Sequence, residues 1–186
     1  LLVPSTLPYG LPDFSAIRDE HVMPALEEAL RRHTAEIAAI ADSPEEPTAA
    51  NTVVALEQSG QDLARVLGYF YTVAGADATE ERLRMEAEIS PLLAQHSDDM
   101  YMNPQLFHRI DAVFQTLPES VGSIEAKGGV TAAQLEAETV ALAQRYHDLF
   151  LRHGAGLSAE AQARVREINA ELSQPVSYTH LRAHET

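Results

Sequence analysis

Apolar side chains recur at steps of three and four residues through most of this chain. This period places them on one side of an α-helix, whereas a half-buried strand would need apolar residues at every second position. In the segment 21–41 the apolar stripe consists of Val22, Ala25, Leu26, Ala29, Ile37 and Ile40. No segment shows a convincing strand pattern, so the sequence predicts an all-α fold.

Capping and helix-breaking residues divide this periodic pattern into about six helices. Asn51 and Asn103 stand where N-caps are expected, and Pro104 suits a first helical turn. Gly154 is positioned as a C-cap, and Ser158 as the next N-cap. The predicted helices cover about 21–41, 52–73, 79–100, 104–114, 131–153 and 158–174.

The two ends of the chain differ from this helical body. Residues 1–20 are predicted to form an extended N-terminal segment, because Pro4, Pro8 and Pro12 are hostile to a helix interior. Residues 21–174 are predicted to form one helical lobe. The stretch from 176 to 186 resembles the translation of a sequencing adapter, so 175–186 are interpreted as a non-native tail, and Pro175 is expected to end the last helix.

The charge and composition exclude several classes of function. The chain has 28 acidic and 13 basic residues and a net charge of -15, which argues against a nucleic-acid partner and against docking on an anionic membrane. No apolar run approaches the roughly 18 residues of a membrane-spanning helix. The absence of cysteine excludes a disulfide framework, a cysteine-ligated zinc site and thiol catalysis.

Motifs that carry catalysis are also missing from the sequence. His180 and His184 have a spacing that can bind a metal on a helix, but both lie in the interpreted tail. No complete HExxH motif occurs, and the other histidines show no ligand spacing. The GxGxx[GA] pattern that begins at Gly154 follows a predicted helix, so a C-cap and turn explain it. The residues alone therefore assign no catalytic, cofactor-binding or metal-ligating residue.

Aromatic residues form a second candidate feature. Tyr69, Phe70 and Tyr71 are followed along the chain by Tyr101 and Phe107, all on predicted helices. Aromatics at such positions belong to the helical core more often than to a substrate platform, although a peptide-binding wall can use them.

Several short segments occur in an order that is specific as a set. They are 5–9 (STLPY), 12–14 (PDF), 21–26 (HVMPAL), 51–60 (NTVVALEQSG), 89–91 (ISP), 99–107 (DMYMNPQLF), 154–157 (GAGL) and 168–173 (INAELS). Taken together, the ordered segments resemble the N-terminal part of the bacterial peptidyl-dipeptidases, which belong to the thimet oligopeptidase family of zinc metallopeptidases. The loop around 122–131 is the part least like the family.

This resemblance implies a fold and a function for the longer parent protein. The chain would be the N-terminal helical lobe of a two-lobed hydrolase, forming a wall of a channel that admits only short peptides. The parent would bind zinc through HExxH and a later Glu in its catalytic lobe, and would release C-terminal dipeptides. Because no such ligand falls within this chain, we expect the fragment by itself to bind no zinc and to be inactive.

The expected partners are therefore short peptides and the missing catalytic lobe, without nucleic acid or membrane. A cytoplasmic location is expected, with the periplasm left open. The alternative is a different class of function, a free-standing acidic helical module that binds a basic protein partner. An HExxH motif further along the uninterrupted gene would favour the peptidase, and a natural stop near Gln174 would favour the module.

Overall fold

The computed structural model describes residues 1–117 and 132–183, and the side chains of all of these except 132–136 and 174–183. Within these ranges the chain forms α-helices and no strand, which confirms the predicted all-α class. The helices are α1 (Val22–Ala41), α2 (Ala55–Gln58), α3 (Gln61–Ala76), α4 (Glu80–Tyr101), α5 (Pro104–Gln115), α6 (Ala132–Arg152) and α7 (Ala159–Ala183). All except the four-residue α2 have 12 residues or more, which agrees with the prediction of about six helices.

The helix predicted over 52–73 is divided in the structure. A π-helical turn, Ala50–Val54, leads into α2, and the chain then leaves the helix at Ser59. Gly60 adopts a left-handed conformation with φ 70° and begins α3. Its N–H donates to Glu36 Oε2 at 2.7 Å, so a contact with α1 replaces the missing helical hydrogen bond. The apolar period continues across this break, and for that reason the period did not reveal it.

The two predicted asparagine caps have different outcomes. Asn103 caps α5 as predicted, since its Oδ1 accepts hydrogen bonds from the N–H groups of Gln105 and Leu106, both at 3.0 Å. Asn51 is not an N-cap, because it lies inside the π-helical turn and its Oδ1 accepts from the N–H of Thr48, which precedes it. The prediction for Asn51 was therefore wrong.

The end of the last helix also differs from the prediction. The backbone of α7 is helical through Ala183, so Pro175 does not end it. A proline removes one N–H donor and crowds the preceding turn, but a helix can continue past it when the hydrogen bonds on both sides persist. The side chains of the interpreted tail, 175–186, and the loop around 122–131 lie outside the part of the chain whose side chains the structure describes.

The chain folds into two compact units. Unit 1 comprises Leu1–Glu36, Gly60–Asp99 and the chain from Ala163 onward, and unit 2 comprises Ile37–Ser59 and Met100–Gln162. The single helical lobe predicted over 21–174 therefore contains two cores, and each is described below by itself.

The core of unit 1 is built from α1, α3 and α4. Its fully buried side chains are Val22, Leu26, Ala29, Val66, Phe70 and Ile89. Each large apolar side chain contributes about 1.5–3 kcal/mol on burial, which is the main force holding these helices together. A polar contact adds α7 to this unit, since Asn169 Nδ2 donates to the buried Asp98 carboxylate at 2.7 Å.

The core of unit 2 joins α5 and α6 to the helical segment 50–58 and the end of α1. Its fully buried side chains include Val53, Leu106, Ile110, Ala143 and Phe150. The ring of Tyr101 packs edge-on against Phe150 at 5.1 Å between centroids. The aromatic contact adds about 0.5–1.5 kcal/mol to the burial of the two rings.

Candidate functional site

The N-terminal segment carries an unusual share of the exposed apolar surface. Of the ten large hydrophobic side chains exposed within the described residues, five lie in it, namely Val3, Leu7, Tyr9, Leu11 and Phe14. We call these five side chains the N-terminal apolar surface. Between Leu1 and Ile17 the only charged side chain is that of Asp13, although the whole chain has a net charge of -15. The surface is therefore both apolar and nearly free of charge.

Specific contacts hold this segment against unit 1. The ring of Phe14 stacks on that of Tyr69 with centroids 5.6 Å apart, and the Tyr69 hydroxyl donates to the Ile17 carbonyl at 3.2 Å. Arg82 Nε lies 3.0 Å from the nearer carboxylate oxygen of Asp19. Burial, together with the nearby charge of Asp19, raises the pKa of Tyr69 above its usual value. The exposed side chains thus belong to an anchored segment.

Tyr9 is the most exposed of these side chains, at 99% of its full accessible surface. It has φ 61°, and it is the only non-glycine residue with positive φ in the described part of the chain. An L-amino acid in this region costs about 1–2 kcal/mol. The turn around it is closed by a hydrogen bond from the Gly10 N–H to the Leu7 carbonyl at 3.0 Å. The fold therefore holds a strained residue whose ring contacts only solvent.

Two concavities border the N-terminal segment within unit 1. One of about 430 Å³ lies between Leu2, Ile17 and Pro24, and another of about 200 Å³ lies between Val3, Pro12 and Arg65. Their walls are mostly apolar. The smaller one lies below the range of about 300–1,000 Å³ that is typical of small-molecule pockets, and the larger one lies within it.

A buried arginine organises the proline-containing loop of unit 2. Arg109 is only 5% exposed, and its Nη1 donates to the carbonyls of Ser43 at 3.1 Å and Glu45 at 2.8 Å. Its Nη2 donates to Asn51 Oδ1 at 3.1 Å. The loop borders an open concavity of about 450 Å³ that is also lined by His108. Because both terminal nitrogens of Arg109 serve the loop, its role here is structural.

The tertiary structure brings together two histidines that have no ligand spacing in the sequence. His96 Nε2 lies 2.8 Å from His33 Nδ1, so one of the two nitrogens donates a hydrogen bond and the other accepts it. Burial lowers the pKa of both rings, and the neighbouring charge of His33 lowers the pKa of His96 further. The carboxylates of Glu36 and Asp99 act in the opposite direction. The pair is therefore stable when one proton lies between the two ring nitrogens, and it is disrupted when both of these nitrogens carry a proton.

Two histidines of unit 2 make stacking contacts. The ring of His147 stacks on Phe114 at 3.9 Å between centroids, and its Nε2 lies 3.2 Å from Asp111 Oδ1. The ring of His153 stacks on Tyr101 at 4.2 Å. Both histidines are thus part of the packing of unit 2.

The remaining sequence motifs also have structural explanations. Tyr69 and Phe70 are buried in the core of unit 1, as the sequence predicted, whereas Tyr71 is 44% exposed. Gly154 ends the turn after α6 with φ 96°, and Ser158 Oγ accepts a hydrogen bond from the Ala161 N–H at 3.3 Å. The glycine pattern is therefore a helix end followed by an N-cap.

Across the helices that the structure describes, none combines the length and the apolar character needed to cross a bilayer.

Sequence comparison gives this structure a context. No protein-family model matches the chain. It is 38% identical to the dipeptidyl carboxypeptidase of Escherichia coli (strain K12) over 172 residues, which are 92% of this chain and 23% of that relative. Over this region the chain is similar to a dipeptidyl carboxypeptidase. The protein of that name from Salmonella typhimurium (strain LT2) is 37% identical over 177 residues, which are 95% of this chain and 24% of the relative.

These two values confirm the resemblance to peptidyl-dipeptidases that the ordered segments indicated. The chain spans about a quarter of the length of both dipeptidyl carboxypeptidases, so most of each relative lies outside the matched region. The residues that sequence reasoning did not single out are Tyr9, Arg109 and the pair of His33 and His96. Only the left-handed turn at Tyr9 had a local signal, the neighbouring Pro8 and Gly10.

Proposed function

We propose that this chain is the N-terminal helical lobe of a zinc-dependent dipeptidyl carboxypeptidase and forms one wall of its peptide channel. The observation that carries this proposal is the similarity to two dipeptidyl carboxypeptidases over 92% and 95% of the chain. The parent would release dipeptides from the C-terminus of short peptides. The two helical cores suit a wall, because packed interiors resist deformation and can exclude folded substrates by shape.

The described residues do not fit a zinc site. A protein zinc site needs three or four His, Cys, Asp or Glu ligands that converge at about 2.0–2.2 Å from the metal, or 2.3 Å for sulfur. No group of three such residues occurs in the parts of the chain that the structure describes. The nearest candidate, His33 and His96, uses two ring nitrogens to bond the rings to each other. We therefore assign the metal and its chemistry to the part of the parent that lies outside this chain.

The proposal is tested with a chimera in which this chain replaces the matched region of the E. coli relative. The folded chimera should release C-terminal dipeptides from a blocked oligopeptide, measured by mass spectrometry, and should lose this activity to a chelator. The E. coli enzyme is the positive control. The isolated chain is the negative control. Calorimetry should show that it binds no stoichiometric zinc with a dissociation constant below about 1 μM, because organised zinc sites bind the metal more tightly than this. A folded but inactive chimera, or dipeptide release by the isolated chain, would contradict the proposal.

The alternative function, an acidic helical module that binds a basic protein partner, is favoured by one observation, the net charge of -15. Sequencing the uninterrupted gene separates the two. A downstream HExxH motif supports the peptidase, whereas a natural stop codon near Gln174 supports the module.

A further inference from the structure

We infer that the N-terminal apolar surface is a docking surface for the remainder of the dipeptidyl carboxypeptidase chain, with the ring of Tyr9 as its central anchor. This inference rests on the proposed function and adds residues and a partner to it. Its evidence comes from the geometry of the segment, and that geometry played no part in the sequence comparison.

The N-terminal segment is both ordered and exposed. The segment is anchored by the Phe14–Tyr69 stack and by the bond from the Tyr69 hydroxyl to Ile17, yet it leaves five large apolar side chains in solvent. Contiguous apolar patches on a protein surface mark interaction sites, and these exposed side chains all come from one ordered segment. A segment with only solvent around it would gain by folding these side chains inward.

The backbone of Tyr9 is strained. A non-glycine residue with φ 61° persists only where its surroundings compensate for the cost. Here the strained residue points a ring that is 99% exposed away from unit 1. Gly10, with φ 67°, follows it and allows the tight turn. Tyrosine combines a large apolar ring with a hydroxyl that can donate at the edge of an interface, and it is enriched where proteins bind proteins.

The low charge of the N-terminal apolar surface points to its occupant. The partner surface must be apolar, since Asp13 is the only charged side chain between Leu1 and Ile17. An anionic lipid surface is disfavoured by the net charge of -15. More than three quarters of the length of each relative lies outside the matched region, so the parent would supply a large partner within the same chain. The two concavities of about 430 and 200 Å³ beside the N-terminal segment can receive apolar side chains of this partner.

The test compares the reactivity of Tyr9 in the isolated chain and in the chimera by hydroxyl-radical footprinting with mass spectrometry. Tyr9 should be modified readily in the isolated chain and several-fold less in the chimera. Phe70, which is fully buried, is the internal control and should stay unmodified in both. If the chimera that carries the whole chain does not fold, a second chimera that carries only residues 1–20 of this chain is used for the same comparison.

A stability measurement tests the same contact independently. Tyr9→Gly should leave the Tm of the isolated chain unchanged or slightly higher, because the ring has no contacts and glycine relieves the positive φ. In the chimera the same substitution should lower the Tm by several degrees. Tyr9→Phe is the matched control, since it keeps the ring and should retain most of the stability of the chimera.

The outcomes separate this inference from the proposed function. An active chimera in which Tyr9 stays as reactive as in the isolated chain would overturn the docking inference and leave the function standing. A protected Tyr9 in an inactive chimera would support docking and contradict the function. Protection of Tyr9 in the isolated chain together with a dimer in light scattering would identify a second copy as the occupant, and would also overturn the inference.

Discussion

Removal of the Arg109 side chain should destabilise unit 2 far more than removal of an exposed arginine. The guanidinium makes three hydrogen bonds, to the carbonyls of Ser43 and Glu45 and to Asn51 Oδ1. These bonds connect α5 to a loop that has no regular structure of its own between α1 and the π-helical turn. Arg109→Ala leaves these three acceptors without their donor.

The magnitude follows from two opposing effects. Hydrogen bonds to a charged group contribute about 1.5–3 kcal/mol each, and three of them give a large gross stabilisation. Burial of the guanidinium offsets part of it, because Arg109 is 5% exposed and its Nε has no hydrogen-bond partner among the described residues. An unsatisfied buried donor costs about 1–3 kcal/mol, and desolvation of the charge costs more, so the net loss for Arg109→Ala should be roughly 2–4 kcal/mol.

The assay is urea unfolding followed by circular dichroism at pH 7, with a thermal scan beside it. A loss of this size corresponds to a Tm lower by roughly 5–15 °C for a chain of this length. Arg109→Lys keeps the charge but not the forked geometry, and it should lose about 1–2 kcal/mol. The matched control is Arg164→Ala, which removes an ion pair with Glu167 from a side chain that is 64% exposed. That control should cost less than about 0.5 kcal/mol. An equal effect of the two alanine variants would refute the reasoning.

Two further predictions concern unit 1. Gly60→Ala should lower the free energy of unfolding by about 2 kcal/mol or more, because Gly60 has φ 70° and an added Cβ would lie 3.0 Å from the His33 ring. Gly68→Ala is its control within α3, since its Cβ would meet nothing within 4 Å, and urea unfolding should show a gain of up to about 1 kcal/mol. The His33–His96 pair should make stability depend on pH. Burial lowers the folded-state pKa of both rings below the unfolded value of about 6.5, so their contribution is present above that pH and is lost as the pH falls through the folded values. The urea concentration at the unfolding midpoint should therefore decrease as the pH is lowered from about 7 to 5, and His96→Gln should flatten this pH dependence. An unchanged pH dependence in the variant would count against the histidine pair as the source of the effect.

The helices with agreeing local signals were predictable within a few residues. The helix α1 has a continuous apolar stripe, and α5 has Asn103 as its N-cap with Pro104 in its first turn. In both cases the hydrogen bonds and the buried face depend on residues within one or two turns of each other. The ordered short segments were likewise local, and they sufficed for the resemblance to peptidyl-dipeptidases.

The sequence by itself thus determined the all-α class, most helix boundaries and the similarity to dipeptidyl carboxypeptidases. Only the tertiary structure decided the break at Gly60, the pairing of His33 with His96 and the burial of Arg109. The physical reason is distance along the chain, since the two histidines are 63 residues apart and Arg109 is 58 residues from Asn51. A period of three and four residues carries no information about such partners, because it reports which face of a helix is apolar and not what that face will meet.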